Sequence, residues 1–242
     1  MRQPIFDRLE SAGKLDSVKK YAHSELEGKF ALLTDTELKE FQEFEDTPKK
    51  LAVILEFAPN NIKEVEDRVI QPLISLEESL GLNFSLAVRD VPFHCTILTG
   101  KAENEDDLLE AEKTLTDSGA FNEMCQNILN TELEYGLLVY ERTGAFLAAT
   151  KIPDSIKTMR EFLKNEYSAQ GLRPVKLLDN FLHCAISRMT KLPTINNRKE
   201  IFDQYLKALQ PIRIALTRDP IRFNPQDVYM GNLADFLKND RG

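Results

Sequence analysis

Apolar runs that end at turn residues alternate along the chain with stretches of helical spacing. Residues 51–57 form the first such run, which stops at Pro59 and therefore predicts a buried strand. A helix is predicted next, because apolar side chains then recur every three or four positions. These are Ile62, Val65, Val69, Leu73, Leu76 and Leu80. Gly81 predicts its end, and Pro72 predicts a kink or a division within it.

The same succession appears a second time. Residues 145–150 form an apolar run that ends before Pro153, and a helical pattern follows it up to Gly171. The apolar positions of that helix are Ile156, Met159, Phe162 and Leu163. Both halves of the chain thus begin with a predicted buried strand that leads into a helix.

Two further predicted strands, residues 93–98 and 182–187, each carry a histidine in the same setting. Side chains alternate between two faces of a strand, so each has a core face and an opposite face. The predicted core faces comprise Phe93, Cys95 and Ile97 in one strand and Leu182, Cys184 and Ile186 in the other. The opposite faces comprise His94, Thr96 and Leu98, and His183, Ala185 and Ser187. This internal repeat places the two histidines 183 − 94 = 89 residues apart.

The order of elements predicts an α+β fold. Helices are expected at about residues 104–116 and 197–209, which completes β-α-β-α twice. Additional strands are expected at residues 133–142, 212–217 and 221–223. We therefore predict that residues 49–242 form one bilobal, pseudo-symmetric duplication in which two antiparallel sheets face a central cleft. Residues 1–48 are predicted to be a helical N-terminal extension.

Charge and composition narrow the class of protein. The 242 residues include 31 Lys and Arg against 39 Asp and Glu, a net charge of −8, with 42% hydrophobic residues. Such a chain is expected to be globular rather than disordered. Its acidity argues against nonspecific binding of long nucleic acid, which depends on neutralising many phosphates with Lys and Arg. A short or terminal phosphate ligand is compatible with this charge.

Neither a membrane segment nor a structural metal site is expected. No run approaches the roughly 18 apolar residues of a membrane span, and Asp7 and Arg8 interrupt any N-terminal signal. The expected location is cytoplasmic. Cys95, Cys125 and Cys184 are odd in number and lack ligand-like spacing, which argues against disulfides and zinc sites. No cofactor and no metal are predicted.

The repeated histidines supply the candidate chemistry. A single strand histidine is usually a half-buried polar residue, but two of only three histidines lie in matching strands. Across a cleft, one imidazole can accept a proton while the other donates one, and an unperturbed pKa of about 6.5 populates both forms. Such a pair suits phosphodiester cleavage without a metal, and the hydroxyl of Thr96 can hold a phosphate oxygen. A Cys/His protease is excluded because the cysteines occupy the opposite strand face.

At these residues the sequence resembles the two-histidine (2H) phosphoesterases, which include 2′-5′ RNA ligase-like proteins, cyclic nucleotide phosphodiesterases and RNA 3′-end trimming enzymes. The family motif, His-hydrophobic-Thr/Ser-hydrophobic, occurs twice. Residues 94–97 match it fully, and residues 183–186 match it except at Ala185. The resemblance spans about residues 50–225. It implies a bilobal fold, catalytic His94 and His183, no metal, and 2′,3′-cyclic phosphates or short RNA ends as substrates.

Ala185 leaves three hypotheses open. A lost hydrogen bond to a charged oxygen costs roughly 1.5–3 kcal/mol, which slows a reaction roughly 10- to 100-fold. Ser187, two residues further along the strand, either supplies that hydroxyl or is a solvated strand-end residue. The chain is accordingly a phosphodiesterase, a catalytically weakened module that binds nucleotides or RNA ends, or a scaffold that acts through residues 1–48. Either histidine could be the acid.

Overall fold

The computed structural model of the chain describes residues 49–80, 85–87, 93–141, 144–175, 182–189 and 198–238. The predicted helical extension, residues 1–48, lies outside the described residues apart from its boundary. The strands are β1 (Lys50–Phe57), β2 (Ser85–Ala87), β3 (His94–Lys101), β4 (Leu133–Glu141), β5 (Gly144–Ala149), β6 (Arg173–Pro174), β7 (His183–Met189), β8 (Ile221–Phe223) and β9 (Pro225–Asn232). The helices are α1 (Pro59–Val65), a π segment (Glu66–Ile70), α2 (Gln71–Ser79), α3 (Glu105–Thr116), α4 (Gly119–Leu129), α5 (Asp154–Ala169), α6 (Arg198–Arg218) and α7 (Leu233–Lys238).

The strands form a curled antiparallel sheet in a mixed helix and strand protein. Its main path runs β8-β4-β5-β7-β3-β1-β9, with β2 beside β7 and β6 beside β3. The sequence predicted two facing sheets, whereas the nine described strands belong to one. The reason is that β3 and β7 pair with each other, with Cys95 opposite Cys184. This pairing joins the strands of both halves of the chain into one sheet. The predicted pseudo-symmetric duplication stays a prediction.

Each histidine strand carries a β-bulge at the fourth residue of its motif. Against β1, Thr96 pairs with Ile54 and Leu98 with Val53, so Ile97 is the extra residue. Against β5, the extra residue is Ile186. A bulge interrupts the alternation of faces. Leu98, predicted on the histidine face, is therefore buried in the main core beside Val53, and that part of the prediction is wrong.

The predicted helix after β1 is present, and it is divided by a π segment. Pro72 lies in the first turn of α2 and has no N–H to donate to the preceding turn. The N–H of Gln71 instead bonds the carbonyl of Glu66, five residues back, as a π turn requires. The predicted division at Pro72 is thus confirmed.

The predicted end of α5 at Gly171 is also confirmed. Gly171 has φ of 76°, a left-handed conformation in which a side chain is strained. Its N–H bonds the carbonyl of Ser168 at 3.3 Å, and the N–H of Leu172 bonds that of Tyr167 at 2.8 Å. These two bonds form a Schellman motif that ends the helix and turns the chain toward β6.

One predicted strand is wrong. Residues 212–217 belong to α6, which continues through Pro211. The buried side chains Tyr205, Leu209, Arg213 and Leu216 step by four, four and three, which is helical spacing. The β-branched residues near Pro211 suggested a strand, but packing of this stripe on the sheet decides the outcome. Helices α4 and α7 and strands β2, β6 and β9 were not predicted.

The helices α1 to α6 pack on one face of the sheet around the main hydrophobic core. The predicted core residues Phe93, Cys95, Leu182 and Cys184 are at most 5% exposed and belong to this core. Ile97 and Ile186, the bulged residues, are fully buried there as well. Within the described part of the chain, no helix has the length and apolar character needed to cross a membrane.

Candidate functional site

His94 and His183 are half-buried and lie on the sheet face opposite the main core, each followed by a fully buried cysteine. An aromatic ring contacts each imidazole edge to face. The ring of Phe236 in α7 lies 4.9 Å from that of His94, and the ring of Phe146 in β5 lies 4.9 Å from that of His183. These contacts restrict the orientation of both imidazoles.

The pairing of β3 with β7 fixes which motif residues are neighbours. Because Cys95 lies opposite Cys184 in an antiparallel pair, Thr96 is on the side of His183, and Ala185 is on the side of His94. The two histidines are then diagonal neighbours, whose Cβ atoms are somewhat less than about 7–8 Å apart. The hydroxyl of the first motif therefore lies on the same side as the histidine of the second motif.

The next strands outward give the two histidines different surroundings. Glu56 of β1 is directly opposite His94, and Asp227 of β9 is opposite Glu56. On the other side, Ala148 of β5 is opposite His183, and Leu137 of β4 is opposite Ala148. A carboxylate residue is therefore the cross-strand neighbour of His94, and a small aliphatic residue is that of His183.

A small second hydrophobic cluster supports the His94 side of this face. It consists of buried Ala52, Ile54 and Phe236, with Tyr229 and Leu233 packed against it. The rings of Tyr229 and Phe236 lie 5.1 Å apart. Gly231, two residues after Tyr229 on β9, has the Tyr229 hydroxyl where a Cβ would be. Helix α7 is thereby held over β1 and β9, which positions Phe236 against His94.

Arg160 stabilises the first histidine strand from the core side. Its side chain is 2% exposed, and its Nε donates a hydrogen bond of 3.0 Å to the carbonyl oxygen of Ile97. A bulged residue leaves its carbonyl outside the regular strand ladder, and an unsatisfied buried carbonyl is costly. The guanidinium of Arg160 therefore fixes the bulge that follows Thr96.

The cysteines of the two motifs lie together in the core rather than at the site. Burial raises the pKa of the Cys184 thiol well above its ordinary value, and it raises that of the adjacent Tyr135 hydroxyl likewise. Cys95 and Cys184 are both fully buried in the main core, so neither thiol reaches the sheet face that carries the histidines. The predicted packing role of Cys95 and Cys184 is confirmed.

Ser187 is the one predicted site residue whose side chain lies outside the described part of the structure. Its backbone pairs with Ala145 of β5, and Ala145 is buried in the main core. The prediction that Ser187 shares a face with His183 assumed unbroken alternation, which the bulge at Ile186 interrupts. Its role at the site stays a prediction.

Sequence reasoning missed Glu56, Phe146 and Phe236. Glu56 is the one charged residue in the apolar run of β1, and this interruption was the available signal. Phe146 and Phe236 gave no local signal, because their contacts with histidines depend on pairing between distant parts of the chain. Among the described residues, no cluster of three or more His, Cys, Asp or Glu side chains is arranged to hold a metal ion.

No protein-family model matches the sequence, and no curated protein matches it significantly. Among solved structures, the chain is similar to Usb1 of Kluyveromyces marxianus, at 14% identity and a TM-score of 0.41 over 76% of this chain and 98% of that one. A second structure of that Usb1, with uridine monophosphate, gives 14% identity, the same coverage and a TM-score of 0.45.

Proposed function

We propose that the chain is a metal-independent phosphodiesterase that acts on a 2′,3′-cyclic phosphate or on a short RNA or nucleotide phosphodiester. His94 and His183 are its acid/base pair. The observation that carries this proposal is the pairing of β3 with β7, which brings two motif histidines 89 residues apart in sequence onto adjacent strands and the same sheet face. Imidazoles in such an arrangement can exchange protons with the two sides of one phosphorus.

The reaction follows from this arrangement. One imidazole accepts the proton of a water molecule whose oxygen forms a bond to phosphorus. The bond from phosphorus to the leaving ribose oxygen breaks, and the other imidazole donates its proton to that oxygen. The hydroxyl of Thr96, on the His183 side, donates a hydrogen bond to a non-bridging oxygen as negative charge develops there. No redox change and no metal are required.

The proposed duplication is supported by matched details of the two halves. The pair β1 and β3 and the pair β5 and β7 have bulges at the fourth motif residue, Ile97 and Ile186. In the strand order, β7 and β3 are central, flanked by β5 and β1 and then by β4 and β9. We infer that the substrate phosphate lies over the central pair, between the two lobes.

A weakened module that binds nucleotides or RNA ends is the second candidate. Ala185 favours it, because a methyl group stands beside His94 where the motif carries a hydroxyl. Such a module keeps the site and loses turnover, so it would be stabilised by ligand without consuming it.

The test is hydrolysis of 2′,3′-cyclic nucleotides and short oligoribonucleotides by the full chain in excess chelator. We expect turnover that His94→Ala and His183→Ala each reduce by about 100-fold or more, since general acid or base catalysis contributes that much. His23→Ala, the third histidine, is the matched control and should keep wild-type activity. Near wild-type turnover in either motif variant would overturn the proposal, and ligand-dependent thermal stabilisation without turnover would establish the binding module.

A further inference from the structure

The two proposed catalytic histidines differ in the charge of their cross-strand neighbours. Residues directly opposite each other in an antiparallel pair project from the same face, with Cβ atoms about 4.5–5.5 Å apart. Glu56 stands in this position relative to His94, and it is half-buried. Ala148, which is fully buried, stands there relative to His183.

We propose that Glu56 is a positioning residue that keeps His94 protonated, so that His94 is the general acid and His183 the general base. This assignment rests on the proposed phosphodiesterase function. Partial burial disfavours the charged form of both imidazoles, and a nearby carboxylate opposes this effect at His94 by favouring its charged form. The aliphatic surroundings of His183 favour its neutral form, which is the form that accepts a proton.

The other elements around His94 do not reverse this charge. On β9, Asp227 lies opposite Glu56, with its carboxylate bonded to the Val228 N–H and near Cys125, and Tyr229 lies opposite Ile54. On α7, Phe236 contacts the imidazole, and the carboxylate of Asp235 interacts with Glu112. On β7, the nearest residues are Ala185 and His183.

Among the described side chains of β1, β3 and β9, the cations are placed elsewhere. Arg160 lies on the core side of β3, where it bonds the Ile97 carbonyl. Lys50 and Lys101 pair with each other at the far end of β1 and β3, 101 − 94 = 7 residues from His94. Around His183, the described side chains of β5 and β4 on this face include Phe146, Ala148, Leu137 and Val139. Glu134, further along β4, is bonded to Thr150 and Arg222.

The carboxylate also restricts the orientation of the imidazole. An imidazolium can donate one ring N–H toward a carboxylate and keep the other for the leaving oxygen. The edge-to-face contact with Phe236 restricts the ring from a second direction. His94 is thus held with its proton available for transfer.

Titration of the histidines by NMR tests the electrostatic part without any need for turnover. The full chain has three histidines, which single His→Ala variants assign. We expect His94 to titrate about one pH unit above His183. Glu56→Gln should lower the midpoint of His94 by about one pH unit and leave His183 unchanged, whereas Glu110→Gln, an exposed helix control, should change neither. Equal midpoints, or no response of His94 to Glu56→Gln in a folded variant, would overturn the proposal.

An activated substrate tests the assignment of roles. Uridine 3′-(4-nitrophenyl phosphate) releases 4-nitrophenolate, which leaves without a proton and so does not need the acid. We expect His94→Ala to lose about 100-fold or more on an alcohol-leaving diester but less than about tenfold on the activated one. His183→Ala should lose about 100-fold or more on both. If the activated substrate restored the activity of His183→Ala and not that of His94→Ala, then His183 would be the acid and His94 the base, and the proposal would be overturned.

The pH dependence of Glu56→Gln adds a readout that a merely structural role would not change. The acid must be protonated, so the rate falls with rising pH through the titration of His94. Lowering that midpoint should reduce kcat/KM at about pH 8 by about tenfold and leave the rise at acidic pH unchanged. If the wild-type chain turns over neither substrate, the proposed function fails, and the assignment of acid and base fails with it. The histidine midpoints would still report separately whether Glu56 charges His94.

Discussion

At the scale of single residues, we expect the rate of phosphodiester hydrolysis to depend on residue 185, where the second histidine motif departs from the family pattern. Ala185 lies on the side of His94, and its cross-strand partner on β5 is Phe146. A hydroxyl here would face the oxygen that leaves or a non-bridging oxygen near it. We expect Ala185→Thr to raise the single-turnover rate by up to about tenfold, the value of a weak charge-assisted hydrogen bond.

The single-turnover rate of Ser187→Ala should be compared with that of Ala185→Thr. If Ser187 supplied the missing hydroxyl, its loss would slow the reaction by about tenfold, and Ala185→Thr would have little effect or crowd the site. No change in either variant would show that the hydroxyl position of the second motif takes no part in the reaction.

The thiols give a second prediction at this scale. Burial and the nearby carboxylate of Asp227 raise the pKa of Cys125 to about 11. At pH 8 the thiolate is then about one part in a thousand, because 11 − 8 = 3. We expect the native protein to react slowly with a thiol reagent. In the denatured protein without reductant, we expect all three thiols to react. One thiol after denaturation would mean a disulfide.

Strand faces could be predicted from the sequence, because alternation is local. Cys95 and Cys184 were assigned to the core correctly on this basis. Leu98 was not, because a bulge depends on how the partner strand aligns. Glu56 could not be connected with His94 at all, since their pairing joins residues 94 − 56 = 38 positions apart.

At the scale of elements, α3 and α7 carry carboxylates that oppose each other. Burial, and then repulsion from Asp235, raise the pKa of Glu112 above its ordinary value of 4.5. A carboxyl with a raised folded-state pKa favours the fold while it is protonated. Its contribution is fully present below the unfolded pKa and is lost as pH rises through the folded one.

We therefore expect Glu112→Gln to raise Tm at pH 7 by about 1–2 °C, a small effect because Glu112 is partly exposed and screened. The gain should vanish below about pH 4, where the wild-type side chain is protonated too. Asp235→Asn should give part of the same gain, and Glu110→Gln, on the exposed face of α3, none. An equal gain at both pH values would point to packing instead of charge.

Helices were predicted where a long apolar stripe repeats, as in α5. Where the apolar pattern was short or interrupted, the sequence did not distinguish a strand from a helix. Residues 212–217 follow Pro211 and read as a strand, although the buried stripe of α6 continues through them. Helix α4 was missed despite a local signal, since Ser118 caps it by accepting a hydrogen bond from the Phe121 N–H at 3.4 Å.

At the scale of the whole molecule, residues 51–236 already contain a large core. It includes Leu51 at one end and Phe223 near the other, with side chains from β1, β3, β4, β5, β7, β8 and β9 and from α1 to α6. We expect a chain that lacks residues 1–45 to fold, with a single cooperative unfolding transition and retained activity on a cyclic nucleotide. Recovery of the truncated chain only as aggregate would show that Leu38, Phe41 and Phe44 belong to the core.

The mixed helix and strand class followed from the alternation of predicted strands and helices in the sequence, whereas the predicted duplication stays a prediction. The single sheet did not follow from the sequence, because it depends on the long-range pairing of Cys95 with Cys184. Strand pairing over such separations is determined by the whole set of packing contacts, which no local pattern contains.

The third residue of the first motif, Thr96, carries a hydroxyl, and that of the second, Ala185, does not. This difference has a stereochemical consequence. The two non-bridging oxygens of a phosphodiester become distinguishable when their surroundings differ, and here Thr96 provides a hydroxyl on one side while Ala185 provides a methyl group on the other. A phosphorothioate substrate places sulfur, a poor hydrogen-bond acceptor, at one of these oxygens in its Rp form and at the other in its Sp form. We expect the two diastereomers to react at rates that differ by about tenfold or more. Ala185→Thr should bring the rates together, and equal rates in the wild-type chain would show that Thr96 does not contact the phosphate. The site would thus recognise the handedness of a phosphorus atom through the one hydroxyl that its motifs retain.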